Sequence, residues 1–256
     1  MNRILTILFS PHIFSGGFFI LDFKVGFRYN SSMKLYIATI ILFTQLISGA
    51  TLALNSDAVE NYFYEIALGA EYGSNDVTIK KWTSDINIYC DGEWNNELLR
   101  ELDTIINDLT PLMGSVKINV VKQKWAANFI AYIGSPTIYS TSIEPKSAPY
   151  IRYNSAMFWV YWSGRNHIYK GSMWIDPTFS EKQLKHVLRE ELTQSLGLMN
   201  DSWKYTNSIF YQGGSEVTSY SDIDKQIIKI LYSNRIRPSM SKGAVKQTIQ
   251  YYDLTK

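Results

Sequence analysis

Glu190 and Glu191 stand side by side in a stretch that reads as a helix, with His186 four residues before Glu190 and Gln194 four residues after it. Two neighbouring carboxylates in different surroundings can hold their protons with different affinity, which is what general acid–base hydrolysis uses. His186 and Glu190 share a helix face at this spacing, so they could clamp a metal ion or form a solvated pair. Beyond Gly197, Asn200 and Asp201 add further polar groups, and Glu190, Glu191 and Asp201 together could offer oxygen ligands to a hard cation.

The helix that positions these groups has a clear start and stop. Ser180 and Gln183 fit a capping box, and Gly197 ends the pattern as a C-cap glycine does. At 100° per residue, Leu184, Val187, Leu188, Leu192 and Ser195 form one broad stripe that also contains Glu191. On the same count His186 and Glu190 point toward the polar side, and Gln194 lies at the edge of the stripe. A carboxylate in an apolar stripe needs a cause, because burial without a partner is costly. Glu191 is either a general acid or base facing a cleft or a core group bonded to backbone, Tyr or Arg.

Residues 190–201 resemble the zincin helix H-E-x-x-H and the x-x-G-x-x-H that follows it in metzincin peptidases. Asn207 to Tyr211 resembles their Met-turn, and Tyr220 to Asp224 leading to Tyr232 resembles their closing helix. More closely, Arg189 to Gln194, Leu196 to Leu198, Asn200-Asp201 and Ser208 to Phe210 are similar to the bacterial family called domain of unknown function 2927, largely exported proteins. The resemblance covers about 85–239. Carried across it, the zinc histidines are matched by Glu190, Gln194 and Asn200, the catalytic glutamate by Glu191, and the Met-turn methionine by Phe210. Catalytic zinc takes three protein ligands, mostly imidazole, and two neutral amides do not supply them. No cofactor is therefore expected. The alternative is zinc or another divalent ion held in an unfamiliar way, for which Glu190 and His186 are the candidate ligands.

The rest of the chain supplies a sheet and its cover. Ile86 and Ile88 alternate with polar residues, as do Val116, Ile118 and Val120, and 128–133, 157–162 and 168–175 read as further strands. Ser163 to Asn166 forms a hairpin turn between the last two. Leu98, Leu99, Leu102, Ile105, Ile106 and Leu109 recur at helical steps before Pro111 and Gly114. Residues 134–155, with Pro136, Pro145 and Pro149, read as a long surface loop. Closing helices are expected at 181–197 and 222–233, the latter capped by Ser221 with Asp222 and Asp224 at its start. The expected fold is α+β, a zincin-like single domain. It has a mixed β-sheet, a backing helix, the equivalent of the active helix and a C-terminal helix.

Composition excludes several functions. With 46% hydrophobic and 19% charged residues the chain is globular rather than disordered, and a net charge of +2 with dispersed Lys and Arg argues against a nucleic-acid partner. The 18 Tyr and 7 Trp suit strand and core positions, and the single Cys90 can make no internal disulfide. Met33-Lys34, the apolar run 35–43 and Ser48-Gly49-Ala50 have the form of a secretory signal cleaved after Ala50 or Ala53. The expected order is an upstream extension at 1–32, a signal at 33–53, a lead-in at 54–84, the zincin-like domain at 85–239 and a tail at 240–256. An exported, periplasmic or extracellular protein follows, which meets the membrane only through the signal or an uncleaved anchor. Its expected role is a non-catalytic cleft for peptide or cell-envelope material, with Gln194, Asn200 and Asp201 as binding groups. The rival is a peptidase-like hydrolase using Glu191, with Glu190, as general base. Oligomeric state is not legible.

Overall fold

The computed structural model describes residues 56–69 and 77–249. The expected extension and signal lie outside the described residues. Among the described residues no helix is long and apolar enough to cross a membrane.

The alternating segments form one mixed sheet. Its strands are β1 (Lys81–Trp82), β2 (Ile86–Gly92), β3 (Ile118–Val120), β4 (Phe129–Ile133), β5 (Ala156–Trp162) and β6 (His167–Ile175). The order β1-β6-β4-β2-β3 is parallel throughout, and β5 alone runs antiparallel, along β6. Ala156 sits opposite Ile175 and Val160 opposite Gly171, with a bulge at Tyr161/Trp162. The hairpin turn closes where expected, with Asn166 taking the left-handed conformation (φ 59°) that this residue type tolerates. Among the described residues β5 therefore pairs with a single strand, β6.

Period-two alternation assigns the two faces of the sheet. Ile86, Ile88, Phe129, Ala131, Val160, Met173 and Ile175 point into the main core. Over that face lie α2 (Asn96–Leu109) and α3 (Glu181–Gln194). Asn95 caps α2 by accepting from the amides of Glu97 and Leu98. Leu98, Leu102, Ile105 and Leu109 are buried, whereas Leu99 faces outward at 37% exposure. On the opposite face Tyr132, Met157 and Trp174 pack with Tyr139 in a second, smaller core.

That second core corrects the expectation of a plain surface loop at 134–155. Residues 136–143 are helical, with Tyr139 fully buried and stacked beside Tyr132 and Trp174, and its hydroxyl pairs with that of Ser172 at 2.9 Å. Glu144 is also buried and accepts from the Tyr161 hydroxyl at 2.7 Å. The prolines punctuate short turns, and the aromatic residues between them cover the sheet.

Three more helices lie among the described residues. The first, α1 (Ser56–Ala67), lies in the segment expected as a lead-in; α4 (Asp222–Tyr232) is the expected closing helix; α5 (Lys242–Ile249) lies in the expected tail. α1 packs on α4 and α5, and Val59, Tyr62, Phe63 and Ile66 are buried in the main core. The buried core thus runs past both ends of the 85–239 segment.

Candidate functional site

The capping box at the start of α3 forms as expected: the Ser180 hydroxyl accepts from the Gln183 amide, and the Gln183 side chain accepts from the Ser180 amide. At the other end Gly197 has φ 116°, and a Cβ there would stand 2.1 Å from the Lys80 carbonyl oxygen. Only glycine lets the chain turn this close beneath the approach to β1.

The second half of α3 is held from several sides. Trp82 Nε1 donates to the Ser195 carbonyl at 3.0 Å, and the Tyr232 hydroxyl donates to the Leu196 carbonyl at 2.9 Å. The Thr193 and Tyr220 hydroxyls pair at 2.7 Å. Arg189, only 1% exposed, reaches Asp108 at 2.7 Å and Glu101 at 3.1 Å on α2 and lies over the Tyr220 ring. Arg189 was not singled out from the sequence. A signal for it exists, since Glu101 and Asp108 are two helical turns apart and so share one face of α2.

These contacts correct the expected exposure of α3. His186 is 5% exposed rather than solvated, its Nδ1 pairs with the Val217 carbonyl at 2.7 Å, and its Nε2 lies 3.4 Å from Glu190. Burial pushes the imidazole pKa down, while the Val217 carbonyl and Glu216 oppose that shift. The helical wheel found the apolar stripe; the wrapping of the opposite side by α2 and the chain before α4 is a tertiary effect.

A groove of about 440 Å³ opens between α3 and β5. Glu190, Glu191, Gln194, Met199 and Asp201 line it from the helix side, and all of Ala156–Trp162 lines it from the strand side. Lys146 and Asn154 add polar groups from the segment before β5. Glu191 is 8% exposed, a nearly buried carboxylate at the groove surface. The Gln194 amide donates to Asp201 Oδ1, which ties the helix to the chain after Gly197.

Asn200 goes elsewhere. Its side-chain amide donates to the carbonyls of Glu65 at 3.0 Å and Leu68 at 3.5 Å, and its backbone amide donates to Ile66 at 3.2 Å. It satisfies carbonyls at the C-terminal end of α1 that the helix itself leaves open. The structure therefore gathers Glu190, Glu191, Gln194 and Asp201 in one groove and separates Asn200 from them. His167 lies apart as well, paired with the Thr83 hydroxyl at 2.8 Å.

The turn that carries Phe210 is fixed by buried polar groups. Asp224 accepts from the Ser208 hydroxyl at 2.5 Å, the Ile209 amide at 3.1 Å and the Ser221 amide at 2.9 Å. Ser208 also pairs with the Tyr62 hydroxyl of α1 at 2.7 Å. Burial raises the Asp224 pKa against the pull of these donors. Ser208 is thus a turn residue, and Phe210 fills the core below it, fully buried.

The donor set does not fit catalytic zinc. Gln194 and Asn200 are neutral amides engaged with Asp201 and with α1, which leaves Glu190 alone among the three matched positions as an anionic ligand. Among the described residues, no three His, Cys, Asp or Glu side chains are placed to hold a metal ion.

The site joins a mixed sheet with one antiparallel strand, a groove floored by a glutamate-bearing helix, a tight turn and a closing helix. The chain belongs to the family described as Protein of unknown function (DUF2927), which it matches over residues 56–251. It is also similar to the solved structure of myroilysin, with 12% identity over 60% of this chain and 96% of that one and a TM-score of 0.37. None of the curated proteins compared with the chain matches it.

Proposed function

We propose that this is an exported, zincin-like binding protein whose groove receives an extended peptide, or a peptide-bearing part of the cell envelope, without cleaving it. The observation that carries this reading is the construction of the groove: the full length of an outer strand forms one wall. A strand with one partner strand presents a row of backbone donors and acceptors, onto which an extended ligand adds as a further strand. Phe158 and Trp162 flank the groove on the core side of β5 and Trp159 on the other, so alternate ligand side chains meet apolar surface. The poor zinc donor set supports binding over hydrolysis.

Hydrogen exchange of the full chain with and without a pool of ten-residue peptides (about 30 Å extended) tests this. Protection of β5 amides on peptide addition, with the peptides recovered intact, is the expected outcome. Absence of bound peptide, or protection away from β5, would overturn it. A second reading, a hydrolase with Glu191 as general base, draws on the place of Glu191 in the groove. Peptide cleavage by the native chain and not by Glu191→Gln would establish that reading instead. Export is tested by the intact mass of the secreted protein, which is expected to begin just after Ala50 or Ala53.

A further inference from the structure

Resting on the peptide-groove reading, we infer that the groove selects an acidic extended peptide, seating an Asp or Glu side chain at the ammonium groups of Lys146 and Lys170 that gather on the Tyr161 ring. Strand alternation separates the two sides of the groove. Phe158, Val160 and Trp162 belong to the main core, on the face where α3 lies. Met157 and Trp159 belong to the smaller core on the opposite face. Tyr161 continues that second series, and its hydroxyl reaches Glu144 in the segment that covers this face. Lys170 stands opposite Tyr161 on β6 and so shares its face, while Lys146 lines the groove from the covering segment. An extended ligand alongside β5 turns alternate side chains to the two faces, so one set meets these cations, away from the carboxylates of α3.

A buried carboxylate holds the seat in place. Glu144, 2% exposed, accepts from the Tyr161 hydroxyl at 2.7 Å and from the Lys146 backbone amide at 3.3 Å. It therefore fixes both the ring and the short helical turn Pro145–Ser147 that carries Lys146. Lys146 lies over the ring at 4.7 Å and Lys170 at 5.5 Å. Burial and the Glu144 carboxylate push the Tyr161 phenol up to about 12, so the ring adds no negative charge. Both lysines are exposed, and among the described residues neither ammonium forms an ion pair. Two cations beside the single carboxylate of Glu144 leave the seat positive. A ring covers one side of an ammonium and leaves its other donors for a ligand carboxylate. A basic ligand residue on this face would meet like charge.

The test uses the full chain and fluorescent ten-residue peptides with both ends blocked, identical except at every second position, which is Glu, Gln or Lys. Binding is read by anisotropy at low and high salt. The expected result is Glu over Gln by about threefold to tenfold, the range that exposed ion pairs supply, with Lys weakest and the Glu preference shrinking as salt rises. Lys146→Met and Lys146→Met/Lys170→Met, which keep apolar stems, are expected to bring the Glu and Gln peptides together stepwise. Lys146→Arg, which keeps the charge, is expected to keep the preference. Lys225→Met removes the same charge from an exposed position on α4 and is expected to leave the preference intact. Equal binding of the Glu and Gln peptides by the native chain, strongest binding of the Lys peptide, or a Glu preference that survives the double variant overturns the seat and leaves the peptide groove standing. So does a preference that falls as far with Lys225→Met as with Lys146→Met. No binding of any peptide overturns both readings.

Discussion

Replacing Asp224 by alanine strikes the junction that holds the Phe210 turn, α1 and α4 together. Its carboxylate serves three donors: the Ser208 hydroxyl, the Ile209 amide and the Ser221 amide. Ser208 and Ile209 are both fully buried, so neither donor finds water when the acceptor is removed. Each orphaned buried donor costs about 1–3 kcal/mol, and loss of the Ser221 capping box adds about 1 kcal/mol. Removing a carboxylate whose pKa is raised by burial returns part of its desolvation cost. The net expectation is about 3–5 kcal/mol, near the upper end of single substitutions. For a domain of this size a urea slope of about 2–3 kcal/mol/M converts this to a midpoint lowered by about 1–2.5 M at unchanged slope. Asp224→Asn, which keeps one acceptor oxygen, is expected to fall between the two. Urea unfolding followed by tryptophan fluorescence measures both. A midpoint for the alanine variant within about 0.3 M of the native one would refute the claim that this junction organises the turn.

Gly197→Ala is expected to cost about 3 kcal/mol or more, because the added Cβ meets the Lys80 carbonyl at 2.1 Å in a backbone that disfavours side chains. Thermal unfolding of the purified variant measures this, and a melting temperature like that of the native chain would count against the close approach. His186 makes stability depend on acid. Its folded pKa lies below the ordinary 6.5, so the unfolded chain takes up more protons as pH falls below about 6.5, and stability drops there. His186→Gln removes that component, so the loss of urea midpoint between about pH 7.5 and pH 5.5 should be smaller than in the native chain. Equal losses would show that the imidazole is not held neutral by burial.

Much of the fold was legible because its signals are local. The capping box at Ser180, the N-cap at Ser221, the apolar spacing from Leu98 to Leu109 and the alternation at Ile86 and Ile88 each depend on residues within a few positions of one another. α1, the two-residue β1 and the helical turns covering Tyr139 were not foreseen, since their order depends on the core that they join. Leu99 shows the same limit in one helix: its spacing suits the apolar face, yet it is left at 37% exposure.

Within the site, local sequence was enough to place Glu190, Glu191 and Gln194 on one capped helix and to end that helix at a glycine. Only the tertiary structure decided what these groups face. It set Glu191 at the surface of a groove, sent Asn200 to the carbonyls of α1 and buried His186 and Arg189 on the side that the helical wheel left to solvent. The physical reason is that a helix's own geometry fixes the angle between its side chains, whereas burial and hydrogen-bond partners come from segments far away in the chain. Asp108 lies 81 residues from Arg189 and Glu65 lies 135 from Asn200.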